Sequence, residues 1–365
     1  MNTTLRPLAL LVPALLLAAC GQPQDPQNDQ RSDQQSEAPA AATAPDTDPA
    51  AASVASAGDT GVWQHPVTPW GDPDLQGMWP VYHLITTPMQ RPEQYGERLY
   101  FTEDELAAQE ERVEERNARY EEENSSDRIG MGHWAEESDV PPQTSLITDP
   151  PDGRFPAMTD QGKEMSARLG SSWGREDFDT YLDFDGWDRC ISRGMPSSMF
   201  PYQYNNGIQI IQTPGYVVVN LEMIHEARII PVDGRPPLDS NIKQWMGESR
   251  GRWEGNTLIV ETTNFNGKLS MTNAGITGHP PGEHASSTEM HIVERFERVS
   301  ENRLNYSVTV EDPITLTAPW TAAFPWRLDP DYEYFEYACH EDNYAIRDFI
   351  TTSRFRRAQE AEAAE

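Results

Sequence analysis

Long apolar runs are scarce in these 365 residues, and so are cysteine and positive charge. The apolar stretch near the start, Pro7 to Leu17, is about a dozen residues, short of the roughly 20 that a spanning helix needs. Basic residues number 28 against 59 acidic ones, a formal charge of −31 with histidine neutral. A field of that sign repels nucleic acid and anionic lipid, which argues against both as electrostatic partners. Solubility in a salty or acidic-surface setting accounts for most of the excess. Cysteine stands at three positions, Cys20, Cys190 and Cys339. No internal repeat is found.

What is present begins with Arg6, the apolar run and small residues before Cys20, the three-part layout of a secretory signal peptide. Leu17-Ala18-Ala19-Cys20 resembles the bacterial lipobox, which implies cleavage before Cys20 and lipidation of its thiol. The alternative is an ordinary signal peptide in which Cys20 is incidental. Gly21 follows where lipoproteins retained at the inner membrane carry Asp, so the resemblance implies the outer membrane, with the protein facing the periplasm or the surface. Lipidation leaves Cys190 and Cys339, and in an oxidising compartment these are expected to pair as a disulfide rather than persist as two buried thiols.

Composition divides the chain into a signal (1–19), a lipidated tether (20–60), a Pro/Trp-rich segment with a charged helix (61–130), a β-rich main domain (131–356) and a disordered tail (357–365). The tether has too few large apolar side chains to offset the entropy of ordering and reads as disordered. Thr102 with Glu105 is a capping box that starts a helix running to about Asn124, with a thin apolar side at Leu106, Val113 and Tyr120. Thr159 caps a short helix that stops at Gly170. After Gly207 the period changes to two. Residues 208–213, 216–222, 228–232, 257–265, 289–299, 303–311 and 332–338 read as strands, separated by Pro214-Gly215, Asp233-Gly234, Gly255-Asn256 and Glu301-Asn302. The fold class is mainly β, an antiparallel meander or calycin-like barrel with N-terminal helices.

Five runs carry a family resemblance. Arg189-Cys190-Ile191-Ser192-Arg193-Gly194, Gln244-Trp245-Met246-Gly247, Arg250-Gly251-Arg252-Trp253-Glu254-Gly255, Glu261-Thr262-Thr263-Asn264-Phe265 and Tyr337-Ala338-Cys339-His340-Glu341 resemble a large, mostly uncharacterised family of exported bacterial proteins. The likeness covers roughly 149–354. It implies export and domain extent, and it carries no functional residues.

Several constellations bear chemistry. Gly247-Glu248-Ser249-Arg250-Gly251 spells a nucleophile elbow with Asp312 and His340 downstream, but it lacks the preceding buried strand and following helix that the elbow needs. A loop in which Arg250, Arg252 and Trp253 pack or pair fits better. His279, His284 and His291 lack helical ligand spacing, so a metal is not expected short of long-range convergence, and nothing indicates an organic cofactor. If Cys190 joins Cys339, Arg189 and Arg193 come near His340 and Glu341. His340, Glu341 and Arg193 are then candidates for proton transfer or for binding an anionic group; the bland alternative is a salt-bridge cluster stiffening the crosslink. His225, Glu226 and Arg228 form a second set, with His225 expected to point inward because it shares a face with Ala227 and Ile229. The leading expectation is a lipoprotein binding a small amphipathic molecule in a β-barrel cavity, walled by some of its ten Trp and thirteen Tyr. The rival is an enzyme, a hydrolase, lyase or isomerase, using a His/Glu/Arg site. A structural envelope protein with no ligand is a third reading. Oligomeric state is not indicated, and the membrane enters as a partner through the lipid alone.

Overall fold

The structure, a computed structural model, describes residues 63–126, 129–173, 175–272 and 283–364. The signal, Cys20, the tether and His279 lie outside the described residues. Ten strands, β1 (Gly77–Met78), β2 (Ile147–Asp149), β3 (Ile208–Thr213), β4 (Tyr216–Leu221), β5 (Glu226–Pro231), β6 (Glu248–Glu254), β7 (Thr257–Thr263), β8 (His291–Ser300), β9 (Arg303–Glu311) and β10 (Trp320–Arg327), form two antiparallel sheets. Their orders are β1-β3-β4-β5 and β2-β10-β9-β8-β7-β6. Three helices accompany them, α1 (Glu103–Asn124), α2 (Asp160–Ser166) and α3 (Ala345–Ala363).

Alternation dictates which face is buried. Leu304, Tyr306, Val308 and Val310 on β9 are buried, while Asn305, Ser307 and Thr309 between them are half-buried. The opposing layer presents Ile208, Ile210, Val217, Val219, Leu221 and Ile230, and one apolar core joins both sets. Trp79, Trp320, Trp326 and Phe296 fill the space between the sheets and are inaccessible to solvent. Each such side chain contributes on the order of 1.5–3 kcal/mol by leaving water. Tight turns set the register: Pro214-Gly215 joins β3 to β4, and Gly255, with φ +60°, lets β6 fold back onto β7. β5 and β6 approach at Gly251, where an added Cβ would meet Val232 and Ile230, yet no backbone ladder joins them among the described residues.

The expected capping box is present at the start of α1, with Thr102 and Glu105 bonded reciprocally. No residue of that helix is buried, which fits its nearly continuous charge. Thr159 caps α2 through a bond from Gly162 N.

Besides the short strands β1 and β2, which the sequence reading does not contain, four elements differ from it. Residues 332–338 are not a strand; Tyr332 and Tyr334 lie against Gly207 just before β3, Tyr337 packs on the cluster around Trp187, and Phe335 is exposed. β6 occupies the expected loop around Ser249, because pairing with β7 compensates for its polar side chains. β10 was hidden by Pro325, which is tolerated because its other neighbour, β2, pairs with Thr321 and Ala322 and stops short of it. α3 continues through 357–363, the expected tail. It is held by Arg356 and Arg357 against Asp177 and Asp179 and by Phe349 against Phe178 and Phe184.

Candidate functional site

Cys190 and Cys339 are joined by a disulfide with Cα atoms 5.6 Å apart. It ties the loop after Trp187 to residues 329–341, a strap that leaves β10 and runs to α3. Beneath the strap, Trp187, Tyr202, Met223 and Ile224 form a separate apolar cluster against which Tyr204, Tyr337 and Cys339 pack.

Arg193 lies in this cluster, 3% exposed, with its guanidinium 5.2 Å from the centre of the Tyr202 ring. Tyr202 and Tyr204 meet edge to face at 4.8 Å. Burial pushes Arg193 down to about 10, and the three tyrosines Tyr202, Tyr337 and Tyr204 act in the opposite direction, so it remains a cation at neutral pH. Its Nε and Nη2 are buried without a hydrogen-bond acceptor among the described residues. The cleft it lines with Asn205, Gly207, Glu222 and Met223 has room for about 10 Å³, roughly the space of one water.

The neighbouring acid is committed elsewhere. Glu222, 1% exposed, accepts from Asn205 Nδ2 (3.0 Å), Gly207 N (2.9 Å), Phe335 N (3.0 Å) and the Tyr332 hydroxyl (2.7 Å). The same hydroxyl lies 2.8 Å from Glu136, whose carboxyl burial raises above its ordinary range. A phenol has one proton to give, so a proton on Glu136 relieves the second close approach. Tyr332 thereby latches the strap, and it stacks on Tyr82 at 6.0 Å.

His225 and His340 lie side by side at the lip, rings 6.4 Å apart. The Nδ1–H of His225 donates to the Tyr337 carbonyl at 2.7 Å, which in the neutral ring leaves Nε2 as the acceptor nitrogen. His225 is exposed, not inward. Ile224 and His225 both have left-handed backbone, φ +64° and +45°; His225 shares a face with Ala227 and Ile229 as expected, but that face is the exposed one. His340 and Glu341 are exposed, whereas Arg193 is buried. Glu226 accepts from the Ser192 hydroxyl at 2.7 Å, and burial raises its carboxyl.

Arg228 belongs to the interior instead. It forms a two-pronged pair with Glu294 on β8, and Glu294 also accepts from Tyr306 at 2.9 Å. Ser249 joins this network through Thr262 (2.9 Å) and Arg228 (3.3 Å). It is a strand residue in a polar seam between sheets, without the geometry of an elbow. Asp312 is engaged by Ser287 and Thr315, and His291 lies 3.8 Å from Glu261. Among the described residues no three His, Cys, Asp or Glu side chains converge to hold a metal ion, and no helix is long and apolar enough to cross a membrane.

Sequence reasoning missed Trp187, Tyr202, Tyr204, Glu222, Tyr332 and Tyr337. The density of Tyr in 202–204 and 332–337 is the available signal, and in the second run its spacing mimics strand alternation. No protein family, curated protein or solved structure matches the chain.

Proposed function

We propose that this chain is an exported bacterial lipoprotein, anchored at Cys20 to the outer membrane, that holds a small amphipathic molecule. Its two sheets read as an opened calycin-like barrel, with β5 and β6 adjacent but unladdered. Because the space between the sheets is filled with side chains, the binding place is assigned to the cleft under the strap. One observation carries the assignment. Among the described residues six non-glycine positions have left-handed backbone, and five of them, Cys190, Asn205, Ile224, His225 and Asp342, surround this cleft or its disulfide. Asn and Asp tolerate that conformation, but for β-branched Ile224 it costs free energy, and strain of this kind gathers where a fold serves a ligand.

Native mass spectrometry of the processed protein purified from its host tests the proposal. A retained small molecule, lost on denaturation, is the expected result; a mass equal to the bare lipidated chain under gentle conditions contradicts it. An enzyme reading rests on the pair at the lip, where His225 has a free Nε2 beside His340. His340→Ala then abolishes turnover of the retained molecule while Tm stays near the parent's.

A further inference from the structure

Most arginines of this protein meet a carboxylate or a carbonyl, as Arg228 does with Glu294 and Arg91 with Pro151. Arg193 is buried without one at its Nε and Nη2 among the described residues. Its two unpartnered atoms, Nε and Nη2, are the pair whose N–H bonds run parallel along one side of the guanidinium. Two parallel donors of that spacing match two oxygens of one carboxylate or phosphate. An isolated charge in such a place is costly. The buried acid lining the same cleft does not relieve it, because Glu222 already takes four donors. Around the guanidinium stand Tyr202, Tyr204 and Tyr337, with Trp187 behind Tyr202 at 5.6 Å, so the surroundings offer flat apolar faces rather than further cations.

We infer that Arg193 receives the carboxylate of a small flat organic acid, with the tyrosines packing on its apolar body. The inference rests on the binding role proposed above and names its ligand class. Free space of about 10 Å³ admits a water and not an aromatic acid, so entry requires the strap to lift from Glu136 and Glu222. The rings of Tyr202, Tyr204 and Tyr337 beside the guanidinium favour an organic acid over inorganic phosphate, which brings no surface for the rings to cover. The negative charge of Glu222, spread over its four donors, is the feature that limits how deep the acid sits.

The test is titration of the full processed protein with benzoate, benzyl alcohol and inorganic phosphate, followed by Tm and by Trp/Tyr fluorescence, on the parent, Arg193→Lys and Arg193→Met. Benzoate is expected to raise the parent's Tm in proportion to log concentration, with benzyl alcohol and phosphate weaker. Affinity for benzoate falls about tenfold or more in Arg193→Met, and Arg193→Lys, which keeps charge without the fork, falls between. Without ligand, Arg193→Met is expected to melt no lower than the parent, because it removes an unpaired buried charge. If benzoate and benzyl alcohol bind parent and Arg193→Met alike, the cleft binds small molecules but the carboxylate assignment is wrong. Binding of phosphate alone also overturns the organic-acid assignment, and binding of none of the three, with no retained molecule in the host protein, overturns both. Should Arg193→Met fail to fold, the parent-to-Arg193→Lys ratio for benzoate decides, and a ratio near one contradicts the fork.

Discussion

Burial raises the Asp185 carboxyl from 3.8 to about 7, with the charge of Asp188 as the second cause. Its Oδ1 accepts from Asp188 N at 2.7 Å, and its Oδ2 is buried without a partner among the described residues. Since the folded value lies above the unfolded one, the folded state holds a proton that the unfolded chain releases. The associated stability is therefore complete below about 4 and lost as pH rises toward 7. Asp185→Asn keeps an acceptor and removes the titration, so at pH 7 it should exceed the parent by on the order of 1–3 kcal/mol, and at pH 4 match it; urea denaturation at the two pH values measures this. His83 and His284 act in the opposite sense. Burial lowers both from 6.5 to about 4, so their contribution is lost as pH falls from 6.5 toward 4 in parent and variant alike. At this scale the sequence located the chemistry near Cys190 and Cys339 because a crosslink implies proximity. It could not reveal that Arg193 lacks an acceptor, which depends on the donors around Glu222 coming from four separate residues. It also misjudged His225, because the face that His225 shares with Ala227 and Ile229 is the exposed one, with Arg228 and Ile230 on the buried side.

Between elements, the seam of Arg228 on β5 and Glu294 on β8 joins the two sheets. Arg228→Ala leaves Glu294 charged and buried and should cost about 3–5 kcal/mol in chemical denaturation. Arg228→Met combined with Glu294→Gln removes both charges, preserves an acceptor for Tyr306, and should cost clearly less than the single change. Equal losses would show that the pair is not coupled. The strap and its loop are a second such unit. The disulfide spans 149 residues, and in the chain-entropy account closing a loop of that length is worth on the order of 4–5 kcal/mol; reduction should lower stability accordingly, and unchanged denaturant midpoints with and without reductant would contradict it. Strands with clean alternation, β3, β4, β8 and β9, were legible because one face meets the core. β6 and β10 were not, since polar side chains in one and a proline in the other are compensated by neighbours that are distant in sequence. The 332–338 run shows the converse, where alternating aromatics serve a strap without a ladder.

For the whole molecule, the lipoprotein reading proposed above rests on the sequence Leu17-Ala18-Ala19-Cys20. Cys20→Ala should release the protein from the membrane fraction, and retention in that fraction would count against lipid anchoring. The mainly β class was legible from the sequence, whereas the filling of the space between the sheets, which moves the binding place to the strap, was not. That relocation is the central claim, and hydrogen–deuterium exchange tests it most directly. Protein purified from its host is compared with the same protein stripped of small molecules by unfolding and refolding with the disulfide intact. The account predicts that stripping speeds exchange in 187–193, 202–207, 222–226 and 332–341, with β7 to β10 unchanged. Faster exchange confined to the inner strands β7 to β10, or no difference between the two samples, would contradict it.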